Sequence, residues 1–169
     1  IEFMSSVFNL QGVEWAEKLG MNRYKIASRC IGQQDLFDAV GETGKDMIVS
    51  LGMWKDANPT APLPTYIKSK GKVDFLYCVA KYPTMPEDVD FDKIDFKDKY
   101  SGFSDHTIGM NAPLIAVARG ARILEKHFTL SKKMHGPDHQ GSMEPNELRQ
   151  LVKSAREFEE FMSKWNIES

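Results

Sequence analysis

Several features that mark specialised classes of protein are scarce in this chain of 169 residues. It has only 2 cysteines, too few for a disulfide framework, so we expect a reducing, cytoplasmic environment. No apolar run approaches the roughly 20 residues that span a bilayer, and the first residues lack the basic-then-apolar order of a signal peptide. The net charge of −2 provides no basic surface for nucleic acid. We therefore expect a protein that binds neither nucleic acid nor membrane.

The composition is that of a folded protein. Apolar residues make up 41% of the chain and aromatic residues 11%, enough to build a packed core. The length fits a single domain over residues 1–169, or a piece of a larger one, and the first residue is isoleucine rather than methionine. Neither a Gly-x-Gly-x-x-Gly loop nor a Walker A loop occurs, which weakens a nucleotide-binding interpretation.

Short β-like runs alternate with helical stretches along the chain. The predicted strands are Glu2–Ser6, Arg23–Ala27, Asp46–Leu51, Val73–Val79, Ser101–Phe103 and Arg122–Phe128. Helices are predicted over Leu10–Leu19, Asp35–Val40, Asn111–Arg119 and onward from Pro145, with a short helix at Thr65–Ser69 and a broken one over Phe91–Tyr100. This alternation is typical of a parallel α/β sheet, and it fits both a doubly wound sheet and a (β/α)8 barrel.

Two histidines directly follow consecutive predicted strands. Because the carboxyl ends of parallel strands meet at one edge of a sheet, His106 and His127 could share a divalent metal ion. Asp105 and Glu125 are possible supporting carboxylates. The alternative is that these are ordinary polar residues at strand ends.

A second set of polar side chains also lies at predicted strand ends. Lys25, Ser28, Ser50 and Ser104 combine a cation with hydroxyl donors, a composition suited to phosphate or carboxylate. The alternative is a lysine that merely extends its ammonium group into solvent. Both cysteines, Cys30 and Cys78, are interpreted as small buried hydrophobes rather than nucleophiles.

The loop with the other two histidines has two interpretations. His135 and His139 flank Gly136–Asp138, and the Gly-Pro pair between them prevents the helix that a spacing of four would need for a metal pair. The loop is either a lid that faces the substrate, with Asp138 as its candidate residue, or a plain solvated loop.

Six short segments carry a resemblance to a known family. They stand in family order and at family spacing across nearly the whole chain: Tyr24–Ser28, Val49–Met53, Tyr82–Asp88, Gly102–Thr107, Glu125–Phe128 and Gly136–His139. On these segments the sequence resembles the sialic acid synthases, the phosphoenolpyruvate-dependent N-acetylneuraminate and legionaminate synthases.

The resemblance implies a TIM-type barrel, of which this chain would hold about six of the eight βα units. Two strands that precede Glu2–Ser6 in the family, and a small antifreeze-like domain after the barrel, are absent from this sequence. In the family that small domain reaches the active site of a partner subunit, so the resemblance also implies a homo-oligomer. We expect the chain alone to be a poor catalyst.

The resemblance implies that phosphoenolpyruvate condenses with an N-acetylated aldose similar to N-acetylmannosamine and releases phosphate. His106 and His127 would bind Mn²⁺ or Mg²⁺, and Lys25 would act with them in catalysis. Phosphoenolpyruvate would be held by Lys25 together with the serines Ser6, Ser28, Ser50 and Ser104. The acceptor sugar would contact Tyr82 and Asp138.

Three positions depart from the family pattern. Cys30 stands where the family has a glutamate, Ala80 where it has Asn or Ser, and Tyr77 where it has a histidine. Cys30, Ala80 and the missing strands support a rival hypothesis, a non-catalytic homologue or fragment that binds a metal or sugar phosphate, or merely assembles. A third possibility is a different barrel enzyme, such as a metal-dependent aldolase that uses no phosphoenolpyruvate.

Overall fold

The computed structural model describes residues 2–165, which form one parallel sheet with helices packed against it. The five strands are β1 Arg23–Ile26, β2 Asp46–Ser50, β3 Val73–Cys78, β4 Gly102–Asp105 and β5 Ile123–Lys126. The helices of the described part are α1 Leu10–Lys18, α2 Gln34–Glu42, α3 Asn111–Ala118 and α4 Pro145–Trp165. None of the helices within residues 2–165 is both long and apolar enough to cross a bilayer.

The order of the strands decides between the two architectures that the sequence allows. Each strand pairs in parallel with the next one along the chain, in the order β1-β2-β3-β4-β5. A doubly wound sheet reverses its strand order at a switch point, and no reversal occurs among the described strands. The sheet is therefore an arc of the barrel type, a half-barrel of five strands.

The predicted strand over Glu2–Ser6 does not form. Only Ser6 makes a parallel bridge, to Lys25, and the next residue donates its backbone N–H to the Lys25 carbonyl at 3.1 Å. Residues 2–5 are exposed, so no buried side chains hold this segment against the sheet. The prediction of six βα units is thus reduced to five strands and one bridge.

Two of the weaker helix predictions are also wrong. Thr65–Ser69 forms a turn at its first two residues and no helix, and the Tyr66 ring packs edge-on against Phe37 and Trp54, with centroids 5.9 and 6.0 Å away. Phe91–Tyr100 contains only one 3-10 turn, Phe91–Lys93.

The regular helices follow local sequence signals. The Asn9 side chain accepts the Gly12 N–H at 2.9 Å and caps α1, which is followed by Gly20 in the left-handed conformation at φ 68°. Pro145 is the first residue of α4, as predicted, where the missing N–H of proline costs no hydrogen bond.

The two faces of the sheet have different chemistry. Apolar side chains on the outer face, such as Tyr24, Ile26 and Phe103, are almost fully buried in the core beneath the helices. Their neighbours along the strands point to the opposite, inner face because strand side chains alternate. Polar residues of that inner face are therefore gathered at the carboxyl ends of the strands: Lys25, Ser50, Cys78, Ser104 and Glu125.

Candidate functional site

A cavity of about 380 Å³ lies at the carboxyl ends of the strands. Its walls include every predicted phosphoenolpyruvate-binding residue: Ser6, Lys25, Ser28, Ser50 and Ser104. The structure thus brings together side chains that come from the first bridge, from three of the strands and from the turn after β1. The expected convergence of strand ends is the physical reason, since parallel strands present the same end at one edge.

Lys25 is the buried cation of this cavity. Its side chain is only 6% exposed, and its ammonium group lies 3.3 Å from Glu125 Oε1 and 3.1 Å from the Ile26 carbonyl oxygen. Ser50 Oγ donates to the other carboxylate oxygen of Glu125 at 3.1 Å. Lys25 therefore does not extend into solvent, and its counter-ion is a half-exposed carboxylate on β5.

Ser28, in the turn after β1, and Cys78, the last residue of β3, lie next to each other in the wall of this cavity. Ser28 Oγ accepts the Gly52 N–H at 2.9 Å and lies 3.6 Å from Cys78 Sγ. A Cβ on Gly52 would stand 2.8 Å from Cys78 Sγ, so the close packing here requires glycine. Burial raises the pKa of the Cys78 thiol, which therefore stays protonated at neutral pH and is a poor nucleophile.

His106 and His127 face each other, with ring centroids 5.3 Å apart and ring planes at 79°. His106 Nδ1 lies 2.8 Å from the Val79 carbonyl oxygen, an acceptor, so Nδ1 carries the proton and Nε2 keeps a free lone pair. Burial lowers the pKa of His106, and the nearby His127 adds to this, against the Val79 hydrogen bond. The imidazole of His106 is therefore neutral at neutral pH, the form that a metal ligand requires.

Neutral imidazole nitrogens are suitable ligands for a divalent metal ion, and an ion held by His106 and His127 alone would need its other ligands from water or substrate. Within residues 2–165, no group of three or more His, Cys, Asp or Glu side chains could hold an ion. The lone pair of His106 Nε2 now accepts a hydrogen bond from the Tyr82 hydroxyl at 3.0 Å, which an ion would displace.

A second cavity of about 350 Å³ adjoins the first and shares Tyr82, His106 and His127 with it. Asp138 lies in its wall, on the loop from Gly136 to Gly141, and its side chain is exposed. The loop therefore borders a cavity, and whether it faces a substrate stays a prediction. Its histidines do not line either cavity: His135 is exposed, and His139 Nδ1 lies 2.7 Å from Thr129 Oγ1.

Sequence reasoning missed Arg29 and undervalued Glu125, both of which line the larger cavity. Arg29 belongs to the 3-10 turn directly after β1, and its guanidinium lies 4.2 Å from the Phe8 ring centroid. Lys25 was identified as a cation at a predicted strand end, and the same criterion would have identified Arg29. Glu125 shares a face with His127 because the two are separated by one residue on an extended chain.

Two departures from the family pattern have different surroundings. Ala80 lies in the wall of the larger cavity, so its methyl group stands where a polar side chain could contact a ligand. Cys30 belongs to the hydrophobic core, is 1% exposed and lines neither cavity, and burial raises the pKa of its thiol. The cysteines are buried, as the sequence interpretation requires.

Fold and site together define a class of protein: a parallel half-barrel with a cationic, hydroxyl-lined cavity and two facing imidazoles at the carboxyl ends of its strands. The chain belongs to the NeuB family, whose profile matches residues 1–166. The family expected from the resemblance is thereby confirmed.

Several relatives carry names of nonulosonic acid synthases. The N,N'-diacetyllegionaminic acid synthase of Campylobacter jejuni is 35% identical over 96% of this chain and 51% of its own length. The human N-acetylneuraminate-9-phosphate synthase is 32% identical over 92% of this chain and 45% of its own length. The chain therefore spans about half the length of the curated relatives it matches.

A solved structure has the same fold. The N-acetylneuraminic acid (sialic acid) synthetase of Leptospira borgpetersenii, crystallised with citrate, superimposes with a TM-score of 0.83 at 31% identity. The match covers 96% of this chain and 58% of that one.

Proposed function

We propose that this chain forms the phosphoenolpyruvate site and part of the acceptor site of a nonulosonic acid synthase. In the reaction, C3 of phosphoenolpyruvate forms a carbon–carbon bond with the aldehyde carbon of an N-acetylated aldose. Water adds at C2, and phosphate then leaves from the tetrahedral intermediate. The observation that carries this proposal is that all the predicted site residues line two adjoining cavities at one end of the half-barrel.

The larger cavity suits the anionic substrate. Phosphoenolpyruvate carries a phosphate and a carboxylate, and Lys25 with Arg29 supplies two cations to the wall, against the single carboxylate of Glu125. The serines add hydroxyl donors. Because Lys25 is almost fully buried, its charge interacts with a bound anion through little intervening water.

The smaller cavity suits the acceptor sugar. Tyr82 and Asp138 offer a hydroxyl and a carboxylate to sugar hydroxyl groups, and Asp138 lines this cavity but not the one that holds Lys25. Mn²⁺ or Mg²⁺ held by His106 and His127 would act as a Lewis acid on the sugar aldehyde. Because the two cavities share His106 and His127, an anion in one and a sugar in the other would have their reacting carbons near the histidines.

The rival function, a homologue that binds without turnover, is favoured by Ala80. The methyl group of Ala80 lines the anion cavity without donating a hydrogen bond. Such a protein would bind phosphoenolpyruvate or Mn²⁺ and release no phosphate.

The deciding experiment measures phosphate release from phosphoenolpyruvate by the complete gene product, with Mn²⁺ and a panel of N-acetylated aldoses. We expect release that depends on one of the sugars and is abolished in Lys25→Met and His127→Ala. The matched controls are Lys132→Met, a partly exposed lysine paired with Glu147, and His135→Ala, an exposed histidine; neither residue lines the cavities. Binding of phosphoenolpyruvate and Mn²⁺ without release from any sugar would establish the rival function instead.

A further inference from the structure

A buried ion pair joins the two strands that carry the histidines. Lys126 Nζ lies 2.5 Å from Asp105 Oδ2, and the two side chains are only 4% and 0% exposed. Asp105 is the last residue of β4 and Lys126 the last of β5. Each charged residue directly precedes one histidine of the site.

Thr107 closes the pair into a network. Its backbone N–H donates to Asp105 Oδ1 at 2.8 Å, and its hydroxyl donates to Oδ2 at 3.1 Å. Lys126 also donates to the Thr107 carbonyl oxygen. The carboxylate therefore has three donors and the ammonium two acceptors, which is the condition under which a buried ion pair is tolerated.

The network extends one step past the paired residues of the sheet, because Lys126 of the last ladder pair also bonds Thr107, which follows the end of β4. The last ladder pair between the two strands is Asp105 with Lys126, so His106 and His127 lie beyond it. The carbonyl oxygens of these histidines accept from two different loops, His106 from Thr84 N–H at 3.1 Å and His127 from Met143 N–H at 2.8 Å. At the end of the ladder, the network of Asp105, Lys126 and Thr107 ties the two histidine-bearing segments to each other, and the Tyr82 ring lies against both imidazoles, with centroids 4.2 and 5.7 Å away.

We infer that Asp105, Lys126 and Thr107 are positioning residues that set the separation of the two imidazoles. The network bonds Asp105 and Thr107, the residues on either side of His106, to each other and to Lys126, the residue before His127. It thereby continues the pairing of β4 and β5 past the end of their ladder. The part of this inference that concerns metal affinity rests on the proposed function, whereas the part that concerns imidazole separation does not.

The test compares the native protein with the charge-neutral double variant D105N/K126M. Removing both charges together avoids leaving one of them buried without a partner. The first readout, taken without metal, is the proton NOE between the His106 and His127 rings, whose centroids are 5.3 Å apart. The second is Mn²⁺ affinity by titration, which we expect to weaken about tenfold.

The matched control is the double variant K72M/D74N. Asp74 is also a largely buried carboxylate, 2.8 Å from Lys72 and bound by the Ser101 hydroxyl, but it lies near the amino end of β3. We expect this control to lose thermal stability and to keep both the ring NOE and the Mn²⁺ affinity. A network that merely stabilised the fold would give the same result in both double variants.

Every outcome decides the inference. A folded D105N/K126M protein that keeps the NOE and binds Mn²⁺ within twofold of native overturns it. If that variant does not fold, Thr107→Val removes one hydroxyl donor at nearly constant volume, and an unchanged NOE and affinity there overturn it equally. If the native protein binds no Mn²⁺, the metal part of the proposed function fails, and the metal-free NOE alone decides the positioning role.

Discussion

Each ring nitrogen of His106 has its own hydrogen-bond partner. Its Nδ1 is tied to the Val79 carbonyl, and its Nε2 faces the cavity beside Tyr82. The sequence predicted the residue and its strand end. The tautomer is set by the Val79 carbonyl oxygen, which lies at the end of a different strand. The sequence around His106 therefore does not reveal it.

The lowered pKa of His106 predicts a loss of stability in acid. An unfolded histidine takes up a proton near its ordinary pKa of 6.5, whereas burial disfavours the proton in the folded state. The contribution to stability is therefore complete above that pH and is lost as pH falls through 6.5 toward the lower folded pKa. In metal-free buffer, we expect Tm to fall less with acid in His106→Asn than in the native protein.

The exposed His135 provides the control for this experiment, and His135→Asn should keep the native dependence of Tm on pH. If His106→Asn also kept it, burial of the neutral imidazole would not be its source.

Glu125 competes with any anion for Lys25. Removing its charge in Glu125→Gln should tighten the binding of inorganic phosphate, because Lys25 would lose its counter-ion at 3.3 Å. The carboxylate is partly exposed, so we expect about 1 kcal/mol, roughly fivefold in Kd. Calorimetric titration measures this change.

The matched variant is Glu42→Gln, which breaks an exposed pair with Lys70 away from both cavities. Its phosphate affinity should stay native. Weaker phosphate binding in Glu125→Gln would mean that the carboxylate orients Lys25 for the anion rather than competing with it.

At the scale of elements, the pairing of β4 with β5 depends on one glycine. A Cβ on Gly102 would stand 1.9 Å from the Ile123 carbonyl oxygen, and rigid backbone cannot yield as a side chain would. We expect Gly102→Ala to lower the free energy of unfolding by about 3 kcal/mol or more, measured by denaturant titration. Because His106 and His127 directly follow β4 and β5, Mn²⁺ affinity should fall as well.

Gly32→Ala is the corresponding control, since a Cβ there meets nothing within 4 Å. It should leave unfolding nearly unchanged or slightly favour the folded state by restricting the unfolded chain. A Gly102→Ala protein as stable as native would show that the two strands can separate without cost.

Strands and helices with strong local signals were predicted nearly to their ends. The capped α1, the apolar β2 and the proline-led α4 need little from the rest of the molecule to be recognised. Glu2–Ser6 failed because a strand exists only through its partner, and only Ser6 pairs. Thr65–Ser69 contains only a turn, in which Tyr66 contacts Phe37 and Trp54, residues that are distant in the sequence.

At the scale of the whole molecule, exposed apolar side chains lie on helices near both outer strands. Trp15 on α1 is 61% exposed, and Phe158 and Phe161 on α4 are 41% and 64% exposed. Parallel strands at the ends of a sheet also leave backbone groups open to pairing. We expect the 169-residue chain by itself to associate through these surfaces.

Sedimentation velocity measures this association. Trp15→Lys combined with Phe161→Lys should shift the isolated chain toward the monomer, because a charge in an apolar contact must be desolvated. Leu130→Lys, at a residue that is 74% exposed but belongs to neither α1 nor α4, should not change the distribution. A native chain that sediments as a monomer would contradict the expectation.

The sequence by itself determined the βα alternation, most helix bounds and the residues that line the site, because these depend on local periodicity and on the ends of strands. Only the tertiary structure decided for the barrel-type arc over the doubly wound sheet, since strand order is set by pairing between distant segments. It alone also placed Glu125 against Lys25 and joined Asp105 to Lys126. Both contacts join residues on different strands: Asp105 and Lys126 meet because their strands pair, and Lys25 on β1 reaches Glu125 on β5 because the sheet curves.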